Sequence, residues 1–416
     1  MTAHITEQAV LRKVAWRLIP FVGLLYLLAF LDRVNVGFAA LTMNADLGFS
    51  ATVFGTGAGI FFLGYVLFGM PSNLVLYLLG ARRWIGVIMI AWGVISAAMA
   101  FIHTPATFYA LRFLLGTAEA GFFPGMILYL TYWFPKKARA RILSAFMVAL
   151  PLSSVIGAPI SSTFLDLNAH GLRGWQWLFL LEGIPAVAVG AIVLKFLTDR
   201  PGQARWLTPQ ERAILIQSLK DPTTAPEPSD ARYAFTYPAL WTLSGVYFAL
   251  LVALYGYNFW LPQIIQSLGE FSHRQIGGLA MLPNLAAVLF MYAWGLHSDA
   301  TAERRWHAAL PLLLAGAGLA TAAFVHEPVV SIIALTLGAV GIYCALPVFW
   351  CLPTNRLSGA GAAAGIALIN AIGNVGGYVG SAAMGYLKQA SHGYADGLLL
   401  LAAAATLAAL LALSTA

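Results

Sequence analysis

Four ionisable residues stand in stretches that otherwise read as hydrocarbon-embedded. Asp32 and Arg33 lie inside one long apolar run, and Arg112 and Glu119 inside another. A charge in hydrocarbon is costly, so such a group pairs with another, faces water, or does chemistry. Arg112 and Glu119 are two helical turns apart and share one face, about 10 Å along the axis. Asp32 and Arg33 are adjacent, point about 100° apart on a helix, and make a poor pair with each other. Each therefore needs a partner elsewhere: Asp32 with Arg112, or Arg33 with Glu119, is expected to meet across a central cavity. One reading is a structural ion pair tying two helices. The other is a carboxylate that carries a proton beside an arginine that holds an anion. Burial disfavours a carboxylate's charged form and a nearby arginine favours it, so such a group can titrate during a cycle. Arginine stays charged and offers a planar fork that matches a carboxylate.

Other polar residues carry weaker signals. Glu182, in "GWQWLFLLEGIP" (174–185), lies early in its run, where Trp175 and Trp177 read as interface anchors. Tyr65, Tyr255, Tyr257, Asn258, Asn284, Trp350, Asn355, Asn370 and Asn374 fall within or at the ends of apolar runs. Each could be helix–helix glue or a ligand contact. "INAIGNVGG" (369–377) is the richest cluster: Asn370 and Asn374 share a face, and Gly373 with Gly377 forms a small-xxx-small packing motif. Gly116 and "GFFPG" (121–125) would let a neighbour approach the Arg112–Glu119 helix, and Pro124 would bend it. The eight histidines show no metal-ligand spacing, and there is no phosphate-binding glycine loop and no serine-hydrolase arrangement. No cofactor is expected beyond a proton as coupling ion.

The elements that must position these groups follow from composition. Of 416 residues 60% are hydrophobic and 9% charged, against roughly 25% charged in soluble domains. That excludes an ordinary soluble enzyme and a disordered chain, and leaves a polytopic membrane protein. The net charge of +7 is spread over the gaps between apolar runs, which argues against a nucleic-acid partner. About twelve runs reach the roughly 20 residues a spanning helix needs, near 18–41, 52–79, 84–103, 107–134, 142–165, 176–198, 239–267, 275–298, 307–326, 329–352, 362–387 and 394–415. The runs are too long and continuous for β-barrel strands. Arg12, Lys13 and Arg17 precede the first run, with no small-residue cleavage site after it, so it is expected to remain as the first helix. Cys344 and Cys351 share one run and make no disulfide framework.

Lys and Arg collect in alternate gaps: Arg82 and Arg83; Lys136, Lys137, Arg139 and Arg141; Arg200, Arg205, Arg212, Lys220 and Arg232; Arg304 and Arg305; Arg356. The other gaps hold little beyond Arg173, Arg274 and Lys388. By the positive-inside rule both termini are cytoplasmic, as an even number of spans requires. Residues 199–238 divide the runs six and six. Within them "LTPQERAILIQSLK" (207–220) reads as a short amphipathic helix with Thr208 as N-cap and Glu211 completing a capping box, and "DPTTAPEPSD" (221–230) as a linker. The expected organisation is a six-helix bundle over 1–198, a cytoplasmic linker over 199–238 and a second bundle over 239–416. An internal repeat agrees. Gly69, Asn73, Arg82, Arg83 and Trp84 after the second run match Gly295, Asp299, Arg304, Arg305 and Trp306 after the eighth, and Pro124 in the fourth matches Pro347 in the tenth.

"LDRVNVGFAALTMNADLGFS" (31–50), "GIFFLGYVLFGMPSN" (59–73), "RFLLGTAEAGFFPGMILYLTYWFP" (112–135) and "GWQWLFLLEGIPAV" (174–187) together resemble the anion:cation symporter branch of the major facilitator superfamily, with its tartrate, phthalate and 4-hydroxyphenylacetate permeases. The resemblance implies proton-coupled uptake of an organic carboxylate by alternating access. It implies proton coupling at Asp32 and Glu119 and substrate charge held by Arg33 and Arg112, with Tyr65 and Asn370 or Asn374 as substrate contacts. It also implies gating ion pairs in the loops after the second and eighth spans. Asn73 stands where the first would have its aspartate, whereas Asp299 with Arg304 and Arg305 keeps the second. "GAP" (157–159) lacks the fuller glycine pattern of antiporters, which favours symport.

The expectation is an all-α protein of twelve spans in two pseudo-symmetric six-helix bundles, a monomer in the cell membrane that moves a small organic anion such as a tartrate-like hydroxy acid or an aromatic acid. "YGYNFW" (255–260) would suit an aromatic acid. Its rivals are a facilitator or drug exporter of the same fold, an integral-membrane enzyme, and a sensor that binds without transporting.

Overall fold

The helices begin and end where local chemistry dictates. Thr6 caps the first by accepting from the Ala9 amide, and Gly48, at φ 64°, closes it with its own amide on the Ala45 and Asn44 carbonyls. The positive φ is the reason for glycine there. Ser50 then caps the second helix through the Val53 amide at 3.2 Å. Thr104 and Thr107 form a reciprocal cap at the fourth, with Pro105 in its first turn.

The computed structural model describes residues 6–135, 138, 142, 146–219, 238–301, 303–354 and 359–415, with 354 and 359–364 by backbone alone. The chain is helical, and among the described residues the β pairing is one isolated bridge between Ala169 and Leu172. In order the spans are Glu7–Leu47, Ala51–Leu79, Ala81–Ala98, Pro105–Glu119 continued by Phe122–Thr131, Ala149–Phe164, Gly174–Phe196, Pro238–Ser267, His273–Thr301, Arg305–Phe324, Pro328–Thr354, Gly359–Ser391 and Ala395–Ser414. Eleven are long and apolar enough to cross a membrane, and the fifth, Ala149–Phe164, is an apolar helix of 16 residues in the described chain. Helices suit this setting because every backbone group is satisfied within the segment. Lys136, Lys137, Arg139, Arg141, Lys220, Arg232, Asn355, Arg356 and the linker 221–230 lie outside the described residues.

Two elements depart from the simplest reading. The first helix begins at Glu7, well before the apolar run. Val10, Val14 and Leu18 recur on one buried face, and the short helix Pro209–Leu219 packs beside it and buries Leu215. That short helix has its expected capping box: the Glu211 amide donates to Thr208 Oγ1 at 3.2 Å and the Thr208 amide to Glu211 Oε2 at 2.8 Å. The fourth span is not one helix. It breaks at Ala120–Gly121, because Pro124 has no amide hydrogen for the Ala120 carbonyl and its ring crowds that turn.

Packing repeats with a six-helix step. The third span lies on the sixth as the ninth lies on the twelfth, and the second on the fourth as the eighth on the tenth. The first touches the fifth and sixth as the seventh touches the eleventh and twelfth. Among the described residues, the most extensive contacts between the halves are second with eleventh, fifth with eighth and first with seventh. At the end away from the N-terminus they are close. A Cβ at Gly55 would sit 2.6 Å from the Ser381 carbonyl oxygen, and one at Gly277 would meet Ser162 and Ala158. Asp166 pairs there with His273 at 2.9 Å and Arg274 at 3.2 Å. Trp175, expected as an interface anchor, is instead buried, its indole N–H donating to Asp46 Oδ2 at 2.9 Å. The hydrogen bond satisfies its polar edge inside the bundle.

Candidate substrate and proton site

Arg33 and Glu119 meet. Arg33 Nε and Nη2 donate to Glu119 Oε2 at 3.1 and 2.7 Å, and Nη1 donates to the Tyr255 hydroxyl at 3.0 Å. The pair is buried, with side-chain exposures of 8% and 0%. Glu119 ends the first segment of the broken fourth span, so the break lies immediately beyond the carboxylate. Gly116, one turn earlier, lets the second span close in: a Cβ there would collide with the Phe61 backbone. That close approach brings Phe61 and Tyr65 onto Arg33, whose guanidinium carbon lies 4.9 and 5.1 Å from the two ring centres.

Arg112 belongs to the same cluster but has no carboxylate. Its Nε and Nη2 donate to the carbonyls of Gly57 and Ala58 at 3.3 and 3.0 Å, and Nη1 has no partner. Its guanidinium lies 5.1 Å from the Phe61 ring centre and 5.7 Å from that of Phe259. Two buried arginines thus share the Phe61 ring, and one carboxylate stands between them and neutrality. With all three ionised the cluster carries one uncompensated positive charge, which a low-dielectric setting makes a strong anion attractor.

Asp32 is elsewhere. Its Oδ1 accepts from Ser96 of the third span at 2.8 Å and its Oδ2 is unpartnered. Of the two expected pairings the structure forms Arg33 with Glu119 and not Asp32 with Arg112. Adjacent residues on a helix diverge by about 100°, and here that sends Arg33 toward the halves' interface and Asp32 into its own bundle. Tyr65 lies against Arg33 as stated. Asn374 Nδ2 donates to Asn370 carbonyl O and Oδ1 at 2.8 and 3.1 Å, so the two amides serve each other. No hydrogen bond links them to the arginines among the described residues. The small-residue motif packs as expected: a Cβ at Gly373 would strike Tyr247, and one at Gly377 would lie 2.7 Å from Phe62. Phe62 in turn packs on Tyr255 with ring centres 4.4 Å apart.

Asp299 pairs with Arg304 at 2.6 Å, and Ser298 Oγ accepts from Arg304 Nη1 at 2.7 Å, while Arg305 is exposed. In the first copy the corresponding Ser72 accepts from Trp84 Nε1 at 2.9 Å, and Asn73 Oδ1 has no partner. Sequence reasoning grouped Tyr255 with eight other polar residues and did not single it out. Its only signal was a place in the aromatic stretch 255–260. A cavity of about 20 Å³ lies between the first, fifth, seventh and eighth spans, lined by Leu31, Ser154, Ser161, Asn258 and Asn284 among others. That is room for water rather than for an organic acid.

A family model described as Major Facilitator Superfamily matches residues 22–381. A protein of Agrobacterium vitis named "Putative tartrate transporter" is 49% identical over 414 residues, which is 98% of this chain and 91% of that protein. A "Quinolone resistance transporter" of Acinetobacter baumannii is 39% identical over 396 residues, covering 94% and 91%. A crystal structure of a bacterial homolog of the human lysosomal transporter Spinster, inward-facing and unoccupied, superposes with a TM-score of 0.77 at 17% identity over 97% of each chain. At that identity the likeness concerns the fold.

Proposed function

Because the chain belongs to the Major Facilitator Superfamily and is a transporter rather than an enzyme, we propose that it is a proton-coupled symporter that takes up a small organic carboxylate by alternating access. The observation that carries this reading is the pair of buried arginines, Arg33 and Arg112, set against the single carboxylate of Glu119. The name of the Agrobacterium vitis relative supports a tartrate-like hydroxy acid.

Coupling follows from competition for one guanidinium. Arg33 spends two donors on Glu119 and a third on Tyr255. A substrate carboxylate that takes the Arg33 fork displaces Glu119. A buried carboxylate that loses its cation costs about 3–5 kcal/mol, and a proton on Glu119 removes that cost. Substrate and proton therefore bind together, and Asp32 supplies a second site that can take a proton. Arg112, Tyr65 and the Asn370–Asn374 pair complete the substrate's surroundings, and Asp299 with Arg304 and Arg305 gates the face that holds the N-terminus. The charge pattern supports a cytoplasmic position for that face, in the cell membrane. The halves, 1–198 and 239–416 about the 199–238 linker, rock about the site. A neutralised site crosses more readily than a charged one, which supplies the difference in state energy that any ligand-driven switch needs. The working unit is a monomer with the bilayer as its surroundings, needing no cofactor and no nucleic acid.

The test is uptake of labelled tartrate and aromatic acids into proteoliposomes under an imposed pH gradient. Accumulation that requires the gradient and disappears in Arg33→Ala supports the proposal; gradient-independent equilibration would overturn the coupling. The relationship to a quinolone resistance transporter favours a second reading, export of an organic compound by the same fold. Efflux of a loaded quinolone that survives Arg33→Ala would establish it.

A further inference from the structure

Glu182 has a setting the Arg33 site does not explain. It is 4% exposed, on the sixth span, and its Oε1 accepts from Ser161 of the fifth at 2.6 Å. Its Oε2 has no partner. Asp32, 1% exposed, is built alike: one oxygen on a serine hydroxyl at 2.8 Å, the other unpartnered. Between them, one turn along the first span from Asp32, lies Asn35, buried with both amide atoms unpartnered. Its amide faces the Glu182 carboxyl without reaching hydrogen-bond geometry. Four unpartnered polar atoms thus lie on the first and sixth spans, whose carboxylates take their serine partners from the third and fifth. The titratable and polar groups facing Glu182 are Asp32, Asn35 and Ser161; those facing Asp32 are Glu182, Glu119, Ser96 and Trp92. No ion pair to Lys, Arg or His is formed by either carboxylate among the described residues.

A carboxylate this dry, with no cation beside it, is costly to keep charged. We propose that Glu182 is a further proton carrier beside Glu119 and Asp32, exchanging a proton with Asp32 past Asn35 and Ser161. The exchange is a plain acid–base step. Because neither free oxygen has a hydrogen-bond partner, the proton passes through an intervening water. The Glu182 O–H breaks as the water gains a proton, another O–H of that water breaks as one forms on Asp32, the negative charge moves the other way, and the water is regenerated. Ser161 also lines the small water-sized cavity between the halves, and that cavity gives Glu182 a path to water when the halves part. The role of this proton in uptake rests on the symport reading; its presence on Glu182 does not.

Two measurements test it. In the wild-type protein, a hydrophobic carbodiimide, which attacks protonated buried carboxyls, should label Glu182 at acid pH and progressively less as pH rises, read by mass spectrometry. Labelling that stays constant from acid to alkaline pH, or fails throughout, would overturn the proposal, whatever the substrate proves to be. In proteoliposomes, Glu182→Gln should retain substrate exchange at equal pH but accumulate less than wild type. Each proton lost from coupling lowers the accumulation ratio about tenfold per pH unit of gradient. A Glu182→Gln protein that accumulates like wild type would also overturn it. Should that variant not fold, the wild-type labelling decides alone. Wild-type labelling that titrates while no carboxylate is accumulated would sink the symport reading and leave Glu182 a proton carrier.

Discussion

At the scale of single residues, the site turns on what a guanidinium can do that an ammonium cannot. Arg33 holds Glu119 through two nitrogens and Tyr255 through a third, with Phe61 and Tyr65 against its face. Arg33→Lys keeps the charge but offers one compact donor on a flexible stem. Substrate binding by calorimetry should weaken about ten- to hundredfold, the worth of one or two charged hydrogen bonds. Undiminished affinity would mean that Arg33 only ties helices together. Glu119→Gln removes the competing charge. Its substrate affinity should vary less with pH than that of wild type, while the unliganded protein melts lower because a buried arginine is left uncompensated. How much of this was legible depended on geometry that residue types do not carry. Adjacent Asp32 and Arg33 announced that they serve different partners, and the seven-residue spacing put Arg112 and Glu119 on one face. Which acid met which arginine needed the helix rotations, and so did the choice of Tyr255 from a stretch with four aromatic residues. Glu182 read as a helix-entry residue because nothing in the sequence marks the fifth-span Ser161 as its partner.

At the scale of elements, a boundary was legible where a cap was read as a pattern and only approximate where hydropathy set it. The Thr208–Glu211 box acts as its pattern announced, whereas Gly48, Ser50 and the Thr104–Thr107 cap fix ends that hydropathy alone had put near 41, 52 and 107. The exact break in the fourth span was not legible, since proline bends some helices and interrupts others. The reach of the first helix back to Glu7 was also hidden, because its N-terminal turns are amphipathic and gain their stability from the short helix Pro209–Leu219. Lys13 Nζ lies 2.8 Å from Glu211 Oε1 across that contact. The Lys13 hydrogen bond, then the Thr208 amide, hold the Glu211 carboxyl below its ordinary range. A depressed carboxylate stabilises above its unfolded value and loses that contribution as pH falls through its folded value. Docking of this helix should therefore be steady at neutral pH and loosen below about pH 4. Hydrogen exchange over 209–219 should quicken there in wild type and show no such step in Glu211→Gln.

At the scale of the whole molecule, the question is what keeps one end shut. Among the described residues, the halves are held together at the face away from the N-terminus by the Asp166 pairs to His273 and Arg274, a hydrogen bond from the Thr52 amide to Gln389, and the close packing at Gly55 and Gly277. Their magnitudes differ. Asp166 and Arg274 are exposed, at 41% and 71%, and exposed ion pairs contribute about 0–1 kcal/mol. Asp166→Asn should therefore shift the balance of open and closed forms by no more than about fivefold. At Gly55 the obstacle to any side chain is the Ser381 carbonyl, 2.6 Å from where a Cβ would stand. Backbone cannot swing aside as a side-chain tip can, and small residues are what permit such approaches between membrane helices. Gly55→Leu should thus hold this end open and trap the carrier, abolishing net transport while leaving the Arg33 cluster intact. Spin labels on the second and eleventh spans would report the separation directly. A closed distance distribution in Gly55→Leu, or an Asp166→Asn effect larger than that of Gly55→Leu, would mean that charge rather than backbone packing holds the gate.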